Sequence, residues 1–223
     1  MTTRRLVAFD IDDTLYLERD YVRSGFAAVG AWARDELGVP DLGDRAWAAF
    51  EAGVRRTILD DALAGCGVAA TPELVGCLVE AYRSHVPAID LPADARDWFD
   101  ARPADRAVAV VTDGPLASQR AKAEALGLAA LADPIVFTEA LGPGMGKPHP
   151  AGFEKVEAAV GLAGAACAYV ADNPAKDFGG PRSLGWRTVR VRRVGGLHAG
   201  VPSGDDVDAE ITALDQLDGA LGW

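Results

Sequence analysis

Several things are scarce in this sequence, and each shortage excludes something. None of its 223 residues falls in a run of the roughly 18 uncharged apolar residues that a spanning helix needs. The apolar stretch after Arg4-Arg5 stops at Asp10, too short for a secretory leader, so a cytoplasmic protein is expected. Cys66, Cys77 and Cys167 form neither a Cys-x-x-Cys pair nor an even disulfide framework; among small or apolar neighbours, they are expected to be buried free thiols. The three histidines share no metal-ligand spacing. Basic charge is in deficit, 22 Lys plus Arg against 33 Asp plus Glu, a net charge of −11. That field repels phosphate backbones and acidic headgroups, which excludes a nucleic-acid polymer or a membrane as the expected partner. With 49% hydrophobic and 25% charged residues, neither a disordered chain nor a coiled coil fits. At about 150 residues per domain, the length allows one core with an insertion.

Short continuous apolar runs at 6–9, 107–111, 134–137, 166–171 and 188–191 read as buried parallel strands. Helical segments at 116–126 and 151–160 lie between them, closed by Gly127 and Gly161. A last short strand is expected at 210–212. Between residues 15 and 99 no strand run occurs and the apolar period is helical: Val22, Phe26, Val29, Ala33 and Leu37; Trp47, Phe50, Val54 and Ile58; Leu74, Leu78 and Tyr82. Thr71-Pro72-Glu73 has the form of a helix start. The expected fold class is α/β, a Rossmann-like doubly wound parallel sheet at 1–15 and 100–223 with an inserted α-helical domain at 16–99.

The chemistry should gather at the carboxyl ends of the strands. Asp10 and Asp12, two residues apart, point the same way if extension continues through them. Two carboxylates about 4 Å apart repel by roughly 1 kcal/mol in water and about 4 kcal/mol at an effective dielectric of 20. A hard divalent cation such as Mg2+ is the economical compensation. Thr112-Asp113-Gly114 follows the second strand, with a hydroxyl and turn N–H groups suited to phosphate oxygens. Asp172 and Asp177 follow the fourth run, and Lys147 can share its charge between a carboxylate nucleophile and a phosphoryl group. Arg55-Arg56 reads as a solvated helix face. Tyr16, Tyr21 and Trp47 are the candidates to stack on a base or sugar, Trp47 falling also on an apolar stripe.

In order and spacing, these residues resemble the haloacid dehalogenase superfamily over most of the chain. Asp10-x-Asp12-x-Thr14 resembles its first motif, Thr112 its second, Lys147 its third, and Asp172 with Asp177 its fourth. Gln119, Lys122 and Leu126-Gly127-Leu128, then Pro148-His149-Pro150 with Phe153, are phrases of the branch with a helical cap after the first motif. Two departures are small: Asp13 replaces a common glycine, and Ala171 stands where glycine often precedes the fourth-motif acid. The resemblance implies Asp10 as nucleophile forming an aspartyl-phosphate, and Asp12 as general acid and then base. It implies Mg2+ on the Asp10 carboxylate, the Asp12 carbonyl and Asp172, with Asp177 behind them or orienting Lys147. Thr112, Asp113 and Gly114 would grip the phosphoryl group. Dehalogenase members generally lack an acid at the place of Asp12, because halide leaves without a proton. A phosphatase acting on a small phosphorylated metabolite is therefore expected, as a monomer or homodimer. A phosphomutase or a catalytically silent phosphate-binding protein stays open as an alternative.

Overall fold

The computed structural model describes residues 4–223. The chain divides into two compact units, one holding the residues up to Glu18 and from Asp90 to Trp223, the other Arg19–Ile89.

In the larger unit six parallel strands, β1 (Arg5–Phe9), β2 (Arg106–Thr112), β3 (Ile135–Phe137), β4 (Cys167–Ala171), β5 (Arg187–Val191) and β6 (Ala209–Ile211), form one sheet in the order β3-β2-β1-β4-β5-β6. The chain winds one way from β1 to β3 and the other way from β4 to β6. The reversal falls between β1 and β4, where the carboxyl ends of strands leave a crevice. Phe9 is in register with Val110 on one side and Val170 on the other, so the residues after all three strands emerge at one edge.

The helices are α1 (Glu18–Leu37), α2 (Leu42–Glu51), α3 (Ile58–Gly65), α4 (Pro72–Ser84), α5 (Ala93–Ala101), α6 (Leu116–Ala125) and α7 (Ala151–Val160), with shorter turns elsewhere. Alternation along β1 sends Leu6 and Ala8 to one face, where they share a core with Tyr169, Ala171 and the α7 residues Phe153 and Val156. Phe9 faces the other way and meets the α5 rings of Trp98 and Phe99, at centroid distances of 5.0 and 5.7 Å. That packing places α5 in the larger unit, so the division falls at residue 89 rather than at 99. The run at 188–191 carries one charged residue, Arg190, and it is completely buried.

The smaller unit is built from helices alone among its described residues, on a core that includes Phe26, Val29, Ala33, Leu42, Phe50, Leu63 and Leu78. α1 and α2 cross at Gly30 and Gly43, and a Cβ on Gly43 would stand 2.4 Å from the carbonyl oxygen of Phe26. Thr71 caps α4 by accepting from the Leu74 N–H. Two sequence expectations differ here. Arg55-Arg56 lies in the linker between α2 and α3, not on a helix face; Arg55 sits 4.3 Å over the Phe50 ring and donates to the Phe50 and Val54 carbonyls. Of the cysteines only Cys167 is buried, Cys66 being half-buried and Cys77 exposed, because the polar face of α4 turns Cys77 outward. No helix among the described residues is long and apolar enough to cross a membrane.

Candidate active site

Asp10 follows β1 directly, and its N–H continues the ladder by donating to the Val170 carbonyl at 3.0 Å. Its carboxylate meets those of Asp172, one residue past β4, and Asp177. All three are buried, and one oxygen from each lies within 4.8 Å of the others. Lys147 stands among them, its Nζ 2.9 Å from Asp10, 2.7 Å from Asp177 and 3.0 Å from the Tyr169 hydroxyl. The Tyr169 contact is a hydrogen bond, and those to Asp10 and Asp177 are ion pairs. Tyr169 in turn donates to the Val111 carbonyl at 2.9 Å, so β4 and β2 together fix where Lys147 ends.

Three carboxylates face one ammonium, and the imbalance shows in the proton affinities of Asp10, Asp172 and Lys147. Burial pushes Asp10 up to about 6 against the pull of Lys147. Burial, then the charges of Asp10 and Asp177, push Asp172 up to about 9. Burial works against the Lys147 ammonium, but Asp10 and Asp177 outweigh it and hold the lysine well above its ordinary value. A buried all-oxygen donor set with surplus negative charge is the chemistry of a hard divalent cation, and these residues fit one.

Asp12 does not join that group. β1 ends at Phe9 and the backbone turns, so the extension that would aim Asp10 and Asp12 alike is not maintained. The Asp12 carboxylate goes instead to α6. Lys122 Nζ lies 2.8 and 2.7 Å from its two oxygens, and Gln119 Nε2 donates to it at 3.0 Å. Tyr16 gives a third donor at 2.6 Å; it is 1% exposed, so it orients an acid rather than stacking on a base or sugar. Burial alone would raise Asp12, but Lys122, Tyr16 and Gln119 hold it below its usual value. Nearby Glu18 is pushed up to about 7 by burial and then by the charge of Asp12.

Thr112 ends β2, nearly fully buried, and its hydroxyl donates to Gln119 Oε1 at 3.1 Å. Gln119 thereby links the second-motif hydroxyl to Asp12. The Asp113 side chain braces the loops, accepting from the Thr138 hydroxyl at 2.6 Å and the Lys147 N–H at 3.1 Å. Gly114 has φ +130° in the turn before α6, and a Cβ there would stand 2.8 Å from Gln119 Nε2. The structure thus brings Asp10, Lys147, Asp172 and Asp177 into one group, and Asp12 and Thr112 into a second joined by Gln119. Residues to which sequence reasoning gave no role in the site are Gln119, Lys122, Tyr169 and Arg190, while Tyr16 was expected to stack on a base or sugar. The i, i+3 spacing of Gln119 and Lys122, which puts them on one helix face, was the available signal.

Comparison with known proteins agrees with this geometry. Residues 4–185 match the family model of the haloacid dehalogenase-like hydrolases. Over 171 residues the chain is 34% identical to a phosphoserine phosphatase of Thermus thermophilus; the match takes in 76% of this chain and 66%, just under two thirds, of that relative's length. Among solved structures it is similar to a 2-haloacid dehalogenase from Pseudomonas syringae, with 24% identity, 99% of each chain covered and a TM-score of 0.66. It is likewise similar to the HAD-hydrolase YfnB of Bacillus subtilis bound to magnesium, with 20% identity, 100% of each chain covered and a TM-score of 0.69. Those two likenesses speak to the fold. From the family match and the site geometry together, the chain belongs to the haloacid dehalogenase-like hydrolases.

Proposed function

We propose that the protein is a Mg2+-dependent phosphatase that hydrolyses a small phosphate monoester through an aspartyl-phosphate on Asp10. The observation that carries this reading is the buried trio Asp10, Asp172 and Asp177 around Lys147. Displacing halide from carbon requires one nucleophilic carboxylate and a nearby cation, which Asp10 and Lys147 already supply. The additional buried carboxylates serve a purpose when a divalent cation must bring an anionic phosphoryl group to an anionic nucleophile. Asp12 supports the same reading, because an alkoxide leaving group needs a proton and halide does not.

In the first step an Asp10 oxygen bonds to phosphorus, the ester P–O bond breaks, and Asp12 gives a proton to the leaving oxygen. In the second a water oxygen bonds to phosphorus as Asp12 takes its proton, and the P–O bond to Asp10 breaks to restore the carboxylate. Lys147 steadies Asp10 throughout. The N–H groups of Asp113 and Gly114 grip the phosphoryl oxygens, and the Thr112 hydroxyl, which has one proton to donate, turns from Gln119 to join them when substrate is bound. Asp10 and Asp172 would hold the cation, with the Asp12 carbonyl and with Asp177 alongside; when bound it supplies charge neutralisation and polarises the phosphoryl group.

Phosphate release from a panel of sugar phosphates, nucleotides and phosphoserine, with Mg2+ and with chelator, tests the reading. Phosphoserine belongs in it because a relative carries the name of its phosphatase. Turnover that needs Mg2+ and disappears in Asp10→Asn is expected. Full phosphatase activity in that variant or without divalent metal refutes the mechanism, and chloride release from 2-chloropropionate with no phosphate release refutes the activity.

A further inference from the structure

Gln119 and Lys122 stand one turn apart on the buried side of α6, each 3% exposed, and both end on Asp12. Lys122 bridges the two carboxylate oxygens, Tyr16 adds to Oδ1 and Gln119 to Oδ2. The Gln119 amide is held at its other end by the Thr112 hydroxyl. A buried ion pair gives little stability beyond what a well-packed apolar pair of the same volume gives. What it does give here is a fixed direction for a carboxylate that leaves β1 on a turning backbone.

We propose that Lys122 and Gln119 are positioning residues for the hydrolytic half of the reaction, holding the Asp12 carboxylate as the acceptor for the proton of the attacking water. The inference rests on the phosphatase reading above. All three donors favour Asp12 as a hydrogen-bond acceptor, which is its role in the second step. Because Lys122 spans both oxygens, yielding one of its two contacts opens an acceptor position for water while the other contact keeps the carboxylate aimed. In the first step Asp12 is instead a donor, and these partners contribute less. With p-nitrophenyl phosphate, whose leaving phenolate is stable without a proton, the first step does without Asp12 altogether. Loss of the clamp should therefore slow hydrolysis of the aspartyl-phosphate while leaving its formation nearly intact.

Rapid mixing of Lys122→Met, Gln119→Leu and wild type with p-nitrophenyl phosphate and Mg2+ tests this. In both variants a nitrophenol burst approaching one equivalent per site is expected, followed by a steady-state kcat lower by about tenfold or more, against the 10²–10⁴-fold that a positioned proton-transfer group supplies. Their kcat/KM, which counts only the steps through nitrophenol release, stays within about twofold of wild type. Lys122→Arg keeps a charged donor to both oxygens and should recover part of kcat. Tyr16→Phe, which removes one donor with little change of shape, should give a smaller burst, and it carries the test if the α6 variants fail to fold. An equal fall in kcat and kcat/KM with no burst, or variants indistinguishable from wild type, overturns the inference and leaves the phosphatase reading standing. Failure of wild type to release nitrophenol or phosphate from any monoester overturns that reading and this one with it.

Discussion

Arg190 Nε donates to the main-chain oxygen of Asp172 at 2.9 Å from a side chain with no solvent exposure. The rest of the guanidinium is spent on the Val201 and His198 carbonyls and the Ser203 hydroxyl, at 2.7–2.9 Å. One buried cation thus ties the residue after β4 to the loop that follows β5. Arg190→Met removes these bonds and leaves carbonyls unpaired at about 1–3 kcal/mol for each buried group stranded. A loss of about 3 kcal/mol or more is expected in the denaturant midpoint analysis, together with a weakened stabilisation by Mg2+, because Asp172 loses its backbone support.

Lys147 answers two buried carboxylates at once, so its removal should be felt most where both are ionised. Lys147→Met leaves Asp10 and Asp177 facing Asp172 with no counter-charge, a defect of about 3–5 kcal/mol when the charges cannot be neutralised. Asp10 and Asp172, both raised by burial, can escape part of it by binding protons. The deficit relative to wild type is therefore expected to grow as pH rises, in parallel urea titrations, and a deficit independent of pH would contradict the ion-pair arrangement.

The placement of the candidate site residues was legible because it follows from chain topology: Asp10, Thr112 and Asp172 each end or follow an apolar run, and parallel strands deliver such residues to one edge. The Thr71 cap and the glycine after α7 were legible for the same local reason, each answering a backbone requirement at a helix end. The fate of Asp12 was not. Nothing in its own neighbourhood states that β1 ends one residue before Asp10, and its partners Gln119 and Lys122 are more than 100 residues away on a helix whose composition reads as solvated. Arg190 was hidden by its company, since a lone arginine within Thr188-Val189-Arg190-Val191 does not break an apolar run. Burial of a charge is decided by acceptors from other loops, and single-segment patterns do not contain them.

Removal of metal should make stability depend on pH in a set direction. Folding lifts Asp172 from an ordinary value of 3.8 to about 9 and Asp10 to about 6, so across that interval the folded protein binds more protons than the unfolded chain. Stability contributed by these groups is complete below about pH 4 and is lost as pH rises through 6 and then toward 9. A bound divalent cation takes the place of the protons. In thermal unfolding from about pH 5 to about pH 9, the gain from Mg2+ over chelator should widen with pH, each kcal/mol appearing as about 2–4 °C. Asp172→Asn should raise the transition temperature of the chelated protein at the alkaline end and abolish most of the Mg2+ response.

Asp13 offers a test confined to the backbone. It is the one non-glycine residue at positive φ among the described residues, at +52°, which accounts for glycine being common at this place in the family. Here the carboxylate does something glycine cannot: Oδ1 accepts from the Glu18 N–H that opens α1 at 2.9 Å, and Oδ2 from the Leu197 N–H at 2.7 Å. Replacement by glycine relieves the backbone but frees both N–H groups; replacement by alanine frees them and leaves a Cβ in the left-handed region, where an ordinary L residue is disfavoured by about 1–2 kcal/mol. Part of that penalty is offset by the lower entropy of the unfolded alanine chain. Both variants should be less stable than wild type, with Asp13→Ala below Asp13→Gly by about 1 kcal/mol. The reverse order in urea unfolding would mean that the larger entropy of the unfolded glycine chain, rather than the left-handed backbone, decides between the two variants.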